Sequence, residues 1–213
     1  MMLFISVLLL CLASSAAGRS CHRKVPNVVR DQILRFHNDL RARLARGEVD
    51  GANGKLKPAK NMYELEWDCD LEYKAQKRCK DGWIDTNLLY NNGVVSDIVI
   101  GPSCLPQPLD FNRDFKRPME KWWKQSRSYA QPNDNRLNDV SLEDFGQMAN
   151  ANATKIGCSF SKKGRLTAVM CIYDSRMSVR KELYKLGDPC LGHYACAEKD
   201  FFVKISNCTC VKR

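Results

Sequence analysis

Between Asn27 and Arg46, Val29, Ile33, Phe36, Leu40 and Leu44 recur at spacings of three and four, which predicts a helix with one buried face, capped by Asn27 and stopped at Gly47. A loop rich in Gly, Asn, Lys and Pro extends from there to Asn61. Asp68 then starts a second helix with Leu71, Ala75 and Cys79 inward. Residues 82–114 read as irregular, with Gly101-Pro102, Pro106 and Pro108, apart from a short strand over 94–100. Pro118 suits the first turn of a helix that runs through Trp122 and Trp123. Adjacent helical residues point about 100° apart, so one of these rings is expected in the core and the other near the surface. Ser141 is read as the cap of a short helix that turns Leu142, Phe145 and Met148 inward. Lys155–Ser161 and Leu166–Tyr173 are apolar-rich runs separated by Lys162-Lys163-Gly164, the pattern of a β-hairpin.

At the N-terminus, residues 3–12 form an apolar run too short to cross a bilayer and are followed by small residues up to Gly18. This is the pattern of a secretory signal over residues 1–18. No later segment is long and apolar enough to span a membrane, so a soluble exported protein is expected. Of the eleven cysteines, Cys11 leaves with the signal. The even set that remains is Cys21, Cys69, Cys79, Cys104, Cys158, Cys171, Cys190, Cys196, Cys208 and Cys210, an export-type disulfide framework of up to five bridges. One pairing follows from geometry. Cys158 and Cys171 are nearly symmetric about Gly164–Arg165, so the hairpin brings them to facing positions, close enough for a disulfide. Sequons at Asn152 and Asn207 predict glycosylation.

The formal charge of +10 survives removal of residues 1–18, which carry no charged side chain. No nucleic-acid motif accompanies it, and export argues against nucleic acid as a partner. Acidic glycans and cell surfaces suit a basic exported chain better, beside the plain alternative of an inert solvated surface. His22, His37 and His193 are the only histidines, and no nucleophile or metalloprotease motif occurs. An enzyme is therefore not expected, nor is any cofactor. The roughly 195 residues after the signal suit one domain at 19–187, with a cysteine-rich extension at 188–213 held by bridges, acting as a monomer.

His37-Asn38 with Arg41 and Leu44-Ala45-Arg46-Gly47, then Met62, Leu65 and Trp67, then Gln147-Met148 and Thr154-Lys155-Ile156-Gly157-Cys158, and finally Cys171 and Tyr173, stand in one order over about residues 27–175. In that order and spacing they resemble the CAP superfamily (cysteine-rich secretory proteins, antigen 5, pathogenesis-related 1), in the style of its nematode and hookworm secreted branch. The resemblance implies an α/β fold, a three-layer α/β/α sandwich around a small antiparallel sheet. It also implies a cleft in which common members carry two His and two Glu able to hold zinc. Here those positions fall at Trp83, Ser96, Gln125 and Asp144, and the Trp expected after Gln147 is Asn150. A zinc site needs imidazole or carboxylate at each position, so the resemblance implies a pocket without a metal.

For partners, the resemblance implies a host cell-surface receptor, as for hookworm-branch members described as integrin antagonists acting on platelets or leukocytes. The alternative it offers is binding of a sterol or fatty acid. No Arg-Gly-Asp occurs. The carboxylates read as possible receptor contacts are Asp188 in Leu186-Gly187-Asp188, Asp110 in Leu109-Asp110-Phe111, and Asp134.

Overall fold

The hairpin around Gly164 forms the middle of the molecule. The computed structural model describes residues 21, 24–87, 89, 91–103, 105, 107–188, 201–204 and 208–212. The helices are α1 (Asn27–Ala45), α2 (Cys69–Arg78), α3 (Arg117–Lys124) and α4 (Glu143–Met148). The strands are β1 (Asp50–Gly51), β2 (Gly54–Lys55), β3 (Glu66–Trp67), β4 (Cys79–Lys80), β5 (Trp83–Ile84), β6 (Gly93–Ile100), β7 (Lys155–Lys163), β8 (Leu166–Tyr173), β9 (Phe201–Lys204) and β10 (Thr209–Lys212). A π-helical turn (Phe111–Lys116) leads into α3.

The central sheet has the order β3-β7-β8-β6, antiparallel except for the short parallel pair of β3 with β7. Strand side chains alternate between its faces. Val95, Cys158, Val169, Cys171 and Tyr173 join the larger core beside α1, α3 and α4, while Met170 and Ile172 pack with Leu71, Ala75 and Cys79 of the α2 layer. Helices thus cover both faces, as the three-layer expectation required. Cys158 faces Cys171 in the register, and the two are bridged with Cα atoms 4.1 Å apart. A second bridge, Cys21–Cys69, ties the N-terminal segment to the start of α2. There Asp68 caps the helix, accepting from the Asp70 and Leu71 amides at 2.9 Å. Gly157 is required by the same helix end, because a Cβ would lie 2.1 Å from the Glu72 nitrogen.

Four details differ from the sequence reading. Pro26, not Asn27, holds the N-cap position of α1, and no side chain caps it. Asp139, not Ser141, is the cap before α4; its carboxylate accepts from the Ser141 amide at 2.8 Å. Trp122 and Trp123 are both buried, since Phe145 stands edge-on to Trp123 with centroids 5.3 Å apart and closes over the second ring. Cys79 is a buried free thiol rather than a bridged cysteine. It sits at the start of β4 inside the apolar α2 layer, its sulfur 3.9 Å from the Ser159 carbonyl, and burial pushes the thiol up to about 12. Cys208 and Cys210 each take part in a disulfide. The leader, His22, Cys104, Cys190, His193, Cys196 and Asn207 lie outside the described residues. The β9–β10 hairpin docks beside residues 62–64, with the Glu64 amide donating to the Cys210 carbonyl and the Cys210 amide to that of Met62.

Buried polar groups join the layers. Glu72, fully buried, receives the Arg30 guanidinium through two bonds of 2.8 Å and the Trp67 indole N–H at 2.8 Å, locking α2 to α1. Arg41 donates to the carbonyls of Tyr63, Met148, Asn150 and Ala153. His37 donates through Nδ1 to the Ile33 carbonyl at 2.9 Å and accepts at Nε2 from the Tyr173 hydroxyl at 2.9 Å.

Burial, opposed by the Ile33 bond and aided by Arg41, drives the His37 imidazole down to about 4 from an ordinary 6.5. The unfolded chain therefore takes up a proton near pH 6.5 that the native state refuses until about pH 4, so stability falls as pH falls across that window. The loss reaches about 3 kcal/mol, since one pH unit of displacement is worth about 1.4 kcal/mol. Urea unfolding of wild type and His37→Gln from pH 7.5 to 4 should show the variant losing less stability over this range; parallel curves would contradict the assignment.

Candidate functional site

A cleft of about 450 Å³ opens between β6, α4 and the segment that precedes β6. Its walls include Asn87, Asn92, Ser96, Asp144, Gln147 and Arg176. Each wall is held from behind. Gln147 fixes the lower end, donating to the Ser175 carbonyl and accepting from the Met177 amide, while its amide group packs so closely on β6 that Gly93 has no room for a Cβ. Gln125, in the 3-10 turn that follows α3, donates to Asp144 at 2.9 Å and accepts from the Phe145 amide at 3.0 Å. One glutamine thereby positions α4 and occupies one oxygen of its carboxylate. Burial raises the Asp144 carboxyl above the ordinary carboxylate range, against the opposing pull of the Gln125 bond and Lys121.

The structure brings three of the four resemblance-derived pocket positions together: Ser96 and Asp144 line the cleft, and Gln125 braces Asp144. Trp83 is elsewhere. It stands on the β4–β5 hairpin of the α2 layer with 68 % of its surface exposed, and the wall is supplied instead by Thr86 and Asn87, a few residues on. Asn150 donates to the Ser175 carbonyl at 3.3 Å, beside Gln147. No group of three or more His, Cys, Asp or Glu able to hold a metal occurs among the described residues. The cleft offers the carboxylates of Glu143 and Asp144, with amides, the hydroxyls of Thr86 and Ser96 and the Arg176 guanidinium, and zinc's preference for three or four imidazole, thiolate or carboxylate ligands is not met.

With this geometry described, comparison with known proteins places the chain. The model of the cysteine-rich secretory protein family, CAP, matches residues 34–173. The chain belongs to the CAP family. Ancylostoma secreted protein of Ancylostoma caninum is 31% identical over 165 residues, covering 76% of this chain and 38% of its own length. Venom allergen 5 of Vespula maculifrons is 28% identical, covering 62% of this chain and 59% of its own. The chain therefore spans less than two thirds of these relatives. Among solved structures, Na-ASP-1 superposes with a TM-score of 0.78 at 27% identity over 92% of this chain and 49% of its own. BmVAL-1 superposes at 0.77 and 26% over 91% and 99%. Hookworm Platelet Inhibitor, at 19% identity and a TM-score of 0.63, shares the fold.

The receptor-contact carboxylates differ in what already holds them. Asp110 caps the π-helical turn: its Oδ1 accepts from the Arg113 amide at 2.7 Å, and its own amide donates to buried Asp114. Asp188 is exposed and follows Gly187, whose amide is anchored to the Pro58 carbonyl at 3.1 Å and whose φ of +141° suits glycine. Asp134 is 61% exposed, with Arg136 at 3.3 Å. Beneath it, fully buried Asn135 donates to the Tyr184 carbonyl and accepts from Gln131 and Tyr129. Asn152 is exposed, and the hydroxyl of its sequon residue Thr154 donates to Asp174 at 2.7 Å.

The residues of the cleft predict its metal chemistry. Protein dialysed and submitted to elemental analysis should retain no stoichiometric zinc, and a chelator should leave the melting temperature unchanged. Zinc retained at one per chain would overturn this reading.

Proposed function

We propose that this CAP protein is a secreted, non-enzymatic scaffold that binds a host cell-surface receptor, as an integrin antagonist that inhibits platelet or leukocyte adhesion. The observation that carries the reading is the Asp134 loop. An exposed carboxylate stands one residue from a fully buried asparagine that is bonded to three other residues, so the loop is presented already ordered and little conformational entropy is lost on contact. Integrin recognition uses such a carboxylate against a receptor-bound cation. Asp110 suits the task less, because its carboxylate is engaged as a helix cap. The names of the relatives, secreted and venom proteins, agree with export, and exposed Asn152 is available to a glycan.

A second reading rests on the groove between α1 and α3. Phe36, Leu40, Val49 and Trp123 give it an apolar wall, and Arg43, Lys124 and Arg127 outnumber Asp50 and Glu120 among its charged residues, an arrangement that admits an acyl chain with a carboxylate head. Its volume of about 280 Å³ is at the small end for ligand pockets and is tight for a sterol.

Purified protein should block integrin-dependent cell adhesion. Asp134→Ala should weaken inhibition about tenfold or more, whereas Gln125→Ala, away from the loop, should leave it within about twofold. Inhibition that tracked Gln125 and ignored Asp134 would overturn the loop assignment. No inhibition, together with stoichiometric fatty-acid uptake, would establish the second reading.

A further inference from the structure

β6 is the edge of the central sheet, and its outer side is open. The Gly101 amide donates to the Arg165 carbonyl at 2.7 Å, continuing the β6–β8 register in which Ile100 faces Leu166. Backbone groups alternate along an antiparallel ladder, so the odd positions of β6 point to β8, and the N–H and C=O groups of Ser96, Ile98 and Ile100 point away from it. Among the described residues none of these six groups has a backbone partner. One is covered, the Ile98 amide, which donates to its neighbour Asp97 at 2.8 Å. Ile100 itself is 64% exposed.

α3 overhangs this edge. Between them lies a groove of about 580 Å³ lined by Asp97–Ile100 on the strand side and by Arg117, Pro118, Glu120, Lys121 and Lys124 on the helix side, three cations against one carboxylate of the helix. The three cations are spaced four and three residues apart, so they share one face of α3. Lys121 reaches across to Asp97 at 2.8 Å, whereas Arg117 and Lys124 have no ion-pair partner among the described residues. Glu120 is drawn toward Lys116, 3.9 Å away. An open row of strand donors and acceptors, with unpaired cations above it, matches an extended chain that carries carboxylates.

We infer that the β6 edge and the overhanging cations of α3 form a docking groove for an extended acidic segment of another protein, added to the sheet as a further antiparallel or parallel strand. Main-chain bonds to Ser96, Ile100 and the Ile98 carbonyl supply the register, and Arg117 and Lys124 select for acidic side chains. Lys121 neutralises Asp97 through Oδ2, while Asp97 Oδ1 stays on the Ile98 amide, which is therefore left out of the docking ladder. The docking edge meets the cleft on α4 at Ser96, whose main chain is the part used here, and the groove shares no lining residue with the Asp134 loop. It does not rest on the receptor reading, and either can fail alone.

The probe is a short fluorescein-labelled peptide of alternating glutamate and valine, followed by fluorescence anisotropy at low and physiological salt. Wild type should bind it and ignore the corresponding lysine–valine peptide. Arg117→Glu with Lys124→Glu should weaken binding about tenfold or more. Ile100→Pro, which removes one outward amide and leaves the β8 ladder intact, should do the same. The same glutamate–valine peptide carrying N-methyl groups on alternate amides should not bind unchanged wild-type protein, which makes this arm independent of variant folding. No binding of the parent peptide overturns the proposal. So does equal binding of the N-methylated peptide, or equal competition by a heparin oligosaccharide with no effect of Ile100→Pro; either would mark a purely electrostatic surface for polyanions.

Discussion

Arg41 projects from the middle of α1 into the interior, where its guanidinium has four backbone carbonyls for company and no carboxylate in bonding contact. Removing it from water is costly; burial lowers its pKa to about 10, offset in part by Tyr173, Asp174 and Glu64, and the group stays charged at neutral pH. The cost is tolerable because charge-assisted bonds satisfy it from several directions. Those four carbonyls belong to the chain before β3, to the last residue of α4 and to the turn between α4 and β7. The Met148 carbonyl is one of those a helix leaves unpaired at its C-terminal end, and the others lie outside helix and strand, so these backbone acceptors have no ladder to join. The arginine is the internal partner that lets irregular chain be buried, and it fixes where α4 ends and β7 begins.

The remaining layers depend on that placement. β7 pairs with β8, β8 with β6, and α4 lies against β6 with Gln147 pressed on Gly93. The cleft is the gap that these contacts leave. Its polar residues mostly bond to each other or to the backbone: Gln125 to Asp144 and Phe145, Gln147 to Ser175 and Met177. A pocket built this way holds its own shape without an ion to organise it. Two surface features, the Asp134 loop and the β6 edge, sit on parts of the chain anchored by Asn135 and by the sheet.

Much of the fold is legible in the sequence. Three- and four-residue spacing marks α1, the Asp68 cap marks α2, and the hairpin with its symmetric cysteines marks β7, β8 and their bridge. These signals are local, and local signals are what periodicity reports. The cap before α4 lies two residues from its expected place because Ser141 and Asp139 both suit a helix start, and only the turn geometry chooses between them. Parity puts Cys79 in a bridge, but a count says nothing of where a side chain points. The cleft is half legible: Ser96, Gln125 and Asp144 come together, whereas Trp83 misses the wall because it is held in the β4–β5 hairpin, whose pairing is not marked in the sequence, and the wall falls three to four residues later. The open edge of β6 is not legible at all, since strand order is a tertiary fact.

The central role of Arg41 is tested most directly by the stability of Arg41→Met in urea unfolding, read together with native-state hydrogen exchange. The substitution keeps most of the apolar stem and takes the Arg41 donor from four buried carbonyls; Asn150 keeps the Ala153 amide, and each of the other three is left unsatisfied at a cost of roughly 1–3 kcal/mol. The predicted result is a loss of at least about 3 kcal/mol, with exchange accelerated first at residues 62–66 and 148–156. A variant within about 1 kcal/mol of wild type, with unchanged protection there, would contradict it.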